Sequence, residues 1–143
     1  TGTGLAPWLS VARDPDTYSR FGHVVVCHTV RHVADLTYRE FLTSGIHDDP
    51  LIGEEAKAQL TYYPTVTREP FEHAGRITDR IKSGALFDDL GLPHGFSPER
   101  DRVMLCGSMA MIKETAELLD SFGMKEGSNA EPGDYVLERA FVG

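Results

Sequence analysis

The run His23-Val24-Val25-Val26-Cys27-His28-Thr29 constrains the fold of this chain more than any other feature. A nearly continuous β-branched stretch reads as a strand covered on both faces, as in a parallel sheet under helices. Leu60-Thr61-Tyr62-Tyr63 reads as a second strand, closed by Pro64, which cannot donate to a ladder. Arg102 to Cys106 reads as a third, ending at Gly107-Ser108. Helical patterns separate them. Pro7 to Arg13 predicts a short helix. Val33 to Ser44 predicts a longer one, with Ala34, Tyr38, Phe41 and Leu42 in an apolar stripe about 100° wide. Residues 46–57 read as loop with a helical turn around Glu54, and Arg68 to Gly75 as loop. Ile77 to Leu90 is helical but interrupted at Gly84, and Leu92 to Arg100 is a surface connection. Ser108 to Phe122 is the clearest helix, with Met109, Ile112, Ala116, Leu119 and Phe122 on its apolar side and Gly123 as a left-handed stop. Tyr135 to Val142 alternates and reads as a final strand. Strand and helix take turns throughout, which predicts an α/β fold, a doubly wound parallel sheet forming one domain over residues 1–143.

At 143 residues the chain can bury roughly two-thirds of its unfolded surface, so one real core is expected. A net charge of −8 disfavours nucleic acid and anionic membranes as general partners. No apolar run approaches the ~20 residues that cross a bilayer, so no membrane association is expected. Cys27 and Cys106 lie in separate apolar runs without a C-x-x-C pair, which suits buried thiols in a reducing, cytoplasmic compartment. Any phosphorylated ligand must therefore meet a local cluster of positive charge.

In such a sheet ligands sit beyond the carboxyl ends of the strands. Four segments occupy that edge: Thr1–Pro7, Thr29–Arg31, Tyr63–Arg76 and Cys106–Met109. Gly2-Thr3-Gly4 can bring backbone N–H groups close to a pyrophosphate, although an ordinary strand–helix turn reads the same way. Arg31, Arg68 and Arg76 lie at strand ends or in the adjacent loop. Guanidinium forks suit the dianionic 2′-phosphate of NADP, whereas an NAD site wants an acid at the end of the strand that follows the Gly-rich turn and its helix. Thr29-Val30-Arg31 stands there instead, which favours NADP. Cys106 has no basic sequence neighbour to activate a thiolate, so a core or bordering role is expected over nucleophilic attack. His28 and His32 straddle a strand end and a helix start, and no metal site is predicted.

The stretches TGTGLAPW, VCHTVRHVADLTY, YYPTVTREPF followed by GRIT, MLCGSMAMI and YVLERAFVG occur in this order across essentially the whole chain. Together they resemble the NADP(H)-binding C-terminal domain of the bacterial ferredoxin (flavodoxin)–NADP(H) reductases. The resemblance implies a flavoenzyme that passes hydride between NADPH and FAD and single electrons to or from ferredoxin or flavodoxin, as a monomer. It implies NADP contacts from Thr1, Gly2, Thr3, Gly4, Arg31, Thr65, Arg68, Arg76, Gly107 and Met109, with Arg68 and Arg76 nearest the 2′-phosphate. Cys106 would border the nicotinamide as the residue closest to the chemistry. Thr3 and the tail residues Ala140, Phe141 and Val142 would lie near the flavin, within a tail spanning 139–143. Ala140 stands where many relatives carry a stacking aromatic, and Phe141 is the substitute. The family's FAD-binding barrel and the strand feeding the Gly-rich turn are not in this sequence. A sheet lacking that strand is expected to be unstable alone, with the strands at 23–29 and 102–106 not pairing directly. Two alternatives remain, an NADH-dependent oxygenase-type flavin reductase and a non-catalytic nucleotide-binding module.

Overall fold

The computed structural model describes residues 5–128 and 130–139. They divide into two compact units, 5–75 and 76–139.

In the N-terminal unit, α1 (Ala6–Arg13) and α2 (Pro15–Arg20) form a corner. Pro7 and Pro15 sit in first turns, where a missing N–H costs nothing. The Asp14 carboxylate accepts from the Asp16 N–H to start α2, and Tyr18 Oη donates to the Ala12 carbonyl at 2.6 Å. β1 (Val24–Val30) then pairs in parallel with β2 (Leu60–Val66), with Val24 opposite Leu60 and Val30 opposite Val66. A parallel pair needs a crossover. Here it carries α3 (Arg39–Thr43) and α4 (Gly53–Gln59). One face of the pair, with Val24, Val26, Leu60 and Tyr62, packs in a core with Leu5, Leu9, Ala12, Tyr18, Leu42, Ile46, Ile52 and Ala56.

Three expectations for this unit need correction. The helix predicted over 33–44 is broken into a 3-10 turn at Val33–Asp35 and α3. The Asp35 carboxylate folds back to accept from the His32 N–H, and Leu36 leaves the helical region at ψ 61°. The stretch 46–57 is more helical than expected, because α4 begins at Gly53. Only a glycine fits at this first position of the helix, because a Cβ would meet the His47 carbonyl at 2.2 Å. Finally, β2 runs straight through Pro64. Val66 shares the orientation of Pro64 in the strand and bonds to the returning loop at His73 and Gly75. The missing Pro64 N–H therefore faces away from β1, and its carbonyl accepts from His73 Nδ1 at 3.1 Å.

In the C-terminal unit, α5 (Ile77–Ser83) and α6 (Ala85–Leu90) meet at Gly84, as its position in the pattern predicts. Gly84 takes φ +84°, and the His94 ring covers it at 2.5 Å from where a Cβ would stand. β3 (Val103–Gly107) pairs in parallel with β4 (Tyr135–Arg139), and α7 (Met109–Ser121) crosses between them against β3. Leu105, Leu119, Met124 and Tyr135 form the core, with Phe96 and Phe122 edge-on at its rim. Ile112, Thr115 and Leu119 are the buried face of α7. Met109, expected on that face, is 58% exposed because it stands in the first turn, ahead of the packed region. Gly123 supplies the left-handed stop at φ +84°.

The α/β class with parallel strands is thus as predicted. β1 and β3 belong to separate two-stranded sheets. No helix among the described residues is long and apolar enough to cross a membrane.

Candidate functional site

The carboxyl ends of β1 and β2 stop side by side because Val30 pairs with Val66. Thr29 and Thr65, opposite each other, share a hydroxyl hydrogen bond of 2.6 Å. Thr65 is fully buried, so that bond belongs to the strand pair rather than to a surface. Backbone pairing continues past the strands, with the Thr67 N–H donating to Val30 O at 3.0 Å and the Arg68 N–H to Arg31 O at 2.9 Å. This brings Arg31 and Arg68 next to each other at the strand ends, both exposed. Neither has a carboxylate partner among the described residues. The loop 67–75 then folds back on the outer edge of β2. There Val66 bridges Ala74, the His73 ring stacks on Tyr63 at 4.2 Å, and Phe71 packs with Val30, Leu36 and Val66. The guanidinium of Arg39 lies 5.2 Å from the centre of the Phe71 ring.

The same unit holds polar groups beneath this surface. Buried His28 meets Tyr62 Oη through Nδ1 at 2.9 Å. Burial pushes the Tyr62 phenol up to about 12, against the opposing pull of Arg39. Burial likewise pushes the Cys27 thiol up to about 12, so it stays protonated at neutral pH.

The carboxyl end of β3 is built differently. Cys106 is 2% exposed and is followed by buried Gly107. Ser108 caps α7 by accepting from the Met111 N–H, and exposed Met109 opens the helix. Neither cysteine is in a disulfide. Arg76 stands just before α5 and reaches Glu114 on α7 at 3.3 Å, while Lys82 holds the other Glu114 oxygen at 3.4 Å. Among the described residues no group of three or more His, Cys, Asp or Glu side chains could hold a metal ion.

Of the residues singled out in the sequence, the structure brings Arg31, Thr65 and Arg68 to one strand end, and Cys106, Gly107 and Met109 to another. Arg76 falls in the C-terminal unit. Thr1, Gly2, Thr3, Gly4, Ala140, Phe141 and Val142 lie outside the described residues. Thr29, Glu69, His73 and Glu114 join these sites without having been assigned from sequence. Glu69 and His73 fall within the edge segment Tyr63–Arg76, which singles out neither of them.

Residues 1–117 match the family model of the oxidoreductase NAD-binding domain. The chain belongs to that family. It is 52% identical over 143 residues to ferredoxin–NADP reductase A of Sorangium cellulosum, covering 100% of this chain and 51% of the relative. It is 51% identical to the ferredoxin–NADP reductase of Pseudomonas aeruginosa, covering 99% of this chain and 55% of that protein. A crystal structure of a ferredoxin NADP+ reductase from Neisseria gonorrhoeae, with FAD and NADP bound, superposes with a TM-score of 0.80. That likeness has 27% identity and covers 98% of this chain and 53% of the other. The chain thus spans about half the length of the curated relatives it matches. The resemblance read from the five sequence stretches is borne out by these names.

Proposed function

We propose that this chain is the NADP(H)-binding part of a ferredoxin (flavodoxin)–NADP(H) reductase. The observation that carries the reading is the pair Arg31 and Arg68, joined through their backbones at the strand ends, both exposed and without a carboxylate partner among the described residues. In a chain of net charge −8, two unpaired arginines at one strand end are suited to a compact dianion. The 2′-phosphate of NADP is such a group, and the donor set fits it. The proposal gives Arg31 and Arg68 the adenosine end; Arg76, in the C-terminal unit, is a further NADP-binding candidate considered by itself. Arg76 gives one amino group to Glu114 and keeps its other donors for a ligand. Thr1, Gly2, Thr3 and Gly4 are assigned to the pyrophosphate. Thr65 acts from beneath by fixing the strand ends.

Cys106, Gly107 and Met109 are assigned to the nicotinamide end. A buried thiol followed by a glycine offers a shaped wall against which the ring can lie, and the Ser108 cap fixes where that wall ends. Bound FAD supplies acceptance of a hydride and release of its electrons one at a time to ferredoxin or flavodoxin. No described residue is assigned to the flavin. The relatives are about twice as long as this chain, and the proposal assigns the flavin to the part this chain does not span, with Thr3, Ala140, Phe141 and Val142 beside it. Cysteines outside any disulfide suit a cytoplasmic protein, and the reading takes it as a monomer.

The test is hydride transfer in the flavin-loaded reductase, followed by the bleaching of the flavin on mixing with each nucleotide. NADPH is expected to reduce the flavin at low concentration where NADH does not. Cys106→Ala is expected to slow the step by roughly ten- to a hundredfold while NADPH binding stays near normal, as when only geometry is lost. A covalent adduct trapped on Cys106, or equal use of NADH, would overturn the assignment.

A further inference from the structure

Glu69 follows Arg68 directly and stands beside a cationic pair, yet its carboxylate forms no ion pair with Arg31 or Arg68 among the described residues. It accepts instead from the backbone N–H of Val33, two residues beyond Arg31, in a short hydrogen bond spanning 36 positions of sequence. With the Arg68 N–H bound to Arg31 O, the chain after β1 and the chain after β2 are tied twice within three residues of each arginine. The tie lies at the open end of the strand pair, where the ladder has ended at Val30 and Val66. A carboxylate on a backbone amide makes a strong charge-assisted bond and leaves every guanidinium donor unused.

We propose that Glu69 is a positioning residue for 2′-phosphate recognition: it holds the chain after β2 against the chain after β1, and so sets the spacing of Arg31 and Arg68. This rests on the proposed reading of those arginines. The advantage is preorganisation. Two long side chains on two separate loops would otherwise have to be ordered by the ligand itself, at the expense of affinity. The negative charge of Glu69 repels a phosphate, so its benefit comes from geometry rather than charge.

That separation makes the inference testable in the flavin-loaded reductase. Glu69→Ala removes the acceptor and is expected to lower selectivity for NADPH over NADH on the order of tenfold, the size of one charge-assisted hydrogen bond, through KM rather than kcat. Glu69→Gln keeps a carbonyl acceptor for the Val33 N–H and is expected to stay within about twofold of the parent selectivity. A Glu69→Ala protein that melts earlier but discriminates as before overturns the inference, as does a Gln variant that loses as much as Ala. Arg68→Ala measured alongside separates the two layers. If Arg68→Ala also leaves selectivity unchanged, the phosphate site itself is misassigned and both readings fall. If only Arg68→Ala acts, the site stands and the role of Glu69 is wrong.

Discussion

The two parallel strand pairs start from similar material and end in opposite ways. β1–β2 closes on hydroxyls, exposed guanidiniums and a loop folded back by backbone bonds. β3 closes on a buried thiol, a buried glycine and the capped start of a thirteen-residue helix. Charge is handled differently too. In the C-terminal unit Arg76, Arg80, Arg100 and Arg102 each reach a carboxylate within 3.5 Å. In the N-terminal unit Arg13 and Arg39 lie over aromatic rings, and Arg31 and Arg68 have no carboxylate partner among the described residues. A strand end with unpaired cations selects by charge, while one with a packed, apolar wall selects by shape. Under the proposed function, the first end suits a phosphate and the second an uncharged ring.

The sharpest way to break this contrast is to loosen the wall. Leu119 is fully buried against Leu105, Met124 and Tyr135 behind β3. Leu119→Ala is expected to cost about 2–5 kcal/mol, the range for a buried leucine truncated to a cavity. Hydrogen exchange should show amides of 103–107 losing protection before those of 24–30. Equal loss in both strands would mean that the two ends do not differ in how they are held.

A smaller effect is expected at Tyr135, which donates to Asp120 at 2.6 Å. Burial, followed by that bond, raises its pKa above the ordinary 10.0. The folded state thus favours the protonated phenol. Its contribution is full below the unfolded pKa and is lost as pH rises through the higher folded value. Tyr135→Phe is expected to cost about 0.5–1.5 kcal/mol at neutral pH and to flatten the alkaline limb of a stability profile. A variant whose alkaline limb matches the parent would refute that linkage.

The smallest effect belongs to Glu114, whose pair with Arg76 is half in water. Glu114→Gln is expected to change stability by only about 0.2–1 kcal/mol, as such surface pairs do. A loss several times larger, read by thermal melting, would show that the C-terminal unit also depends on charge.

Much of this arrangement was legible in the residues, and the rest failed for identifiable reasons. The strands at 23–29 and 102–106 stood out because β-branched runs buried on two faces have few other readings. Pro64 reads as a stop in sequence because the direction of its missing N–H depends on which side of β2 faces β1. The pattern over 33–44 reads as one helix because a stripe of apolar residues does not reveal Asp35 turning back to accept from the His32 N–H. Arg31 and Arg68 could be singled out by type, but their adjacency follows from the Val30–Val66 register, which no local pattern contains. Glu69 was invisible for the same reason, since its partner lies 36 positions away.

The most direct test of charge selection at the β1–β2 end uses two ligands that differ only in the 2′-phosphate. Titration calorimetry of the flavin-loaded reductase with 2′,5′-ADP and with 5′-AMP isolates that group from the nicotinamide. Arg68→Ala is expected to weaken 2′,5′-ADP by ~1.5–3 kcal/mol, the worth of a charge-assisted hydrogen bond, and to leave 5′-AMP unchanged. Equal weakening of both ligands, or of neither, would contradict the account.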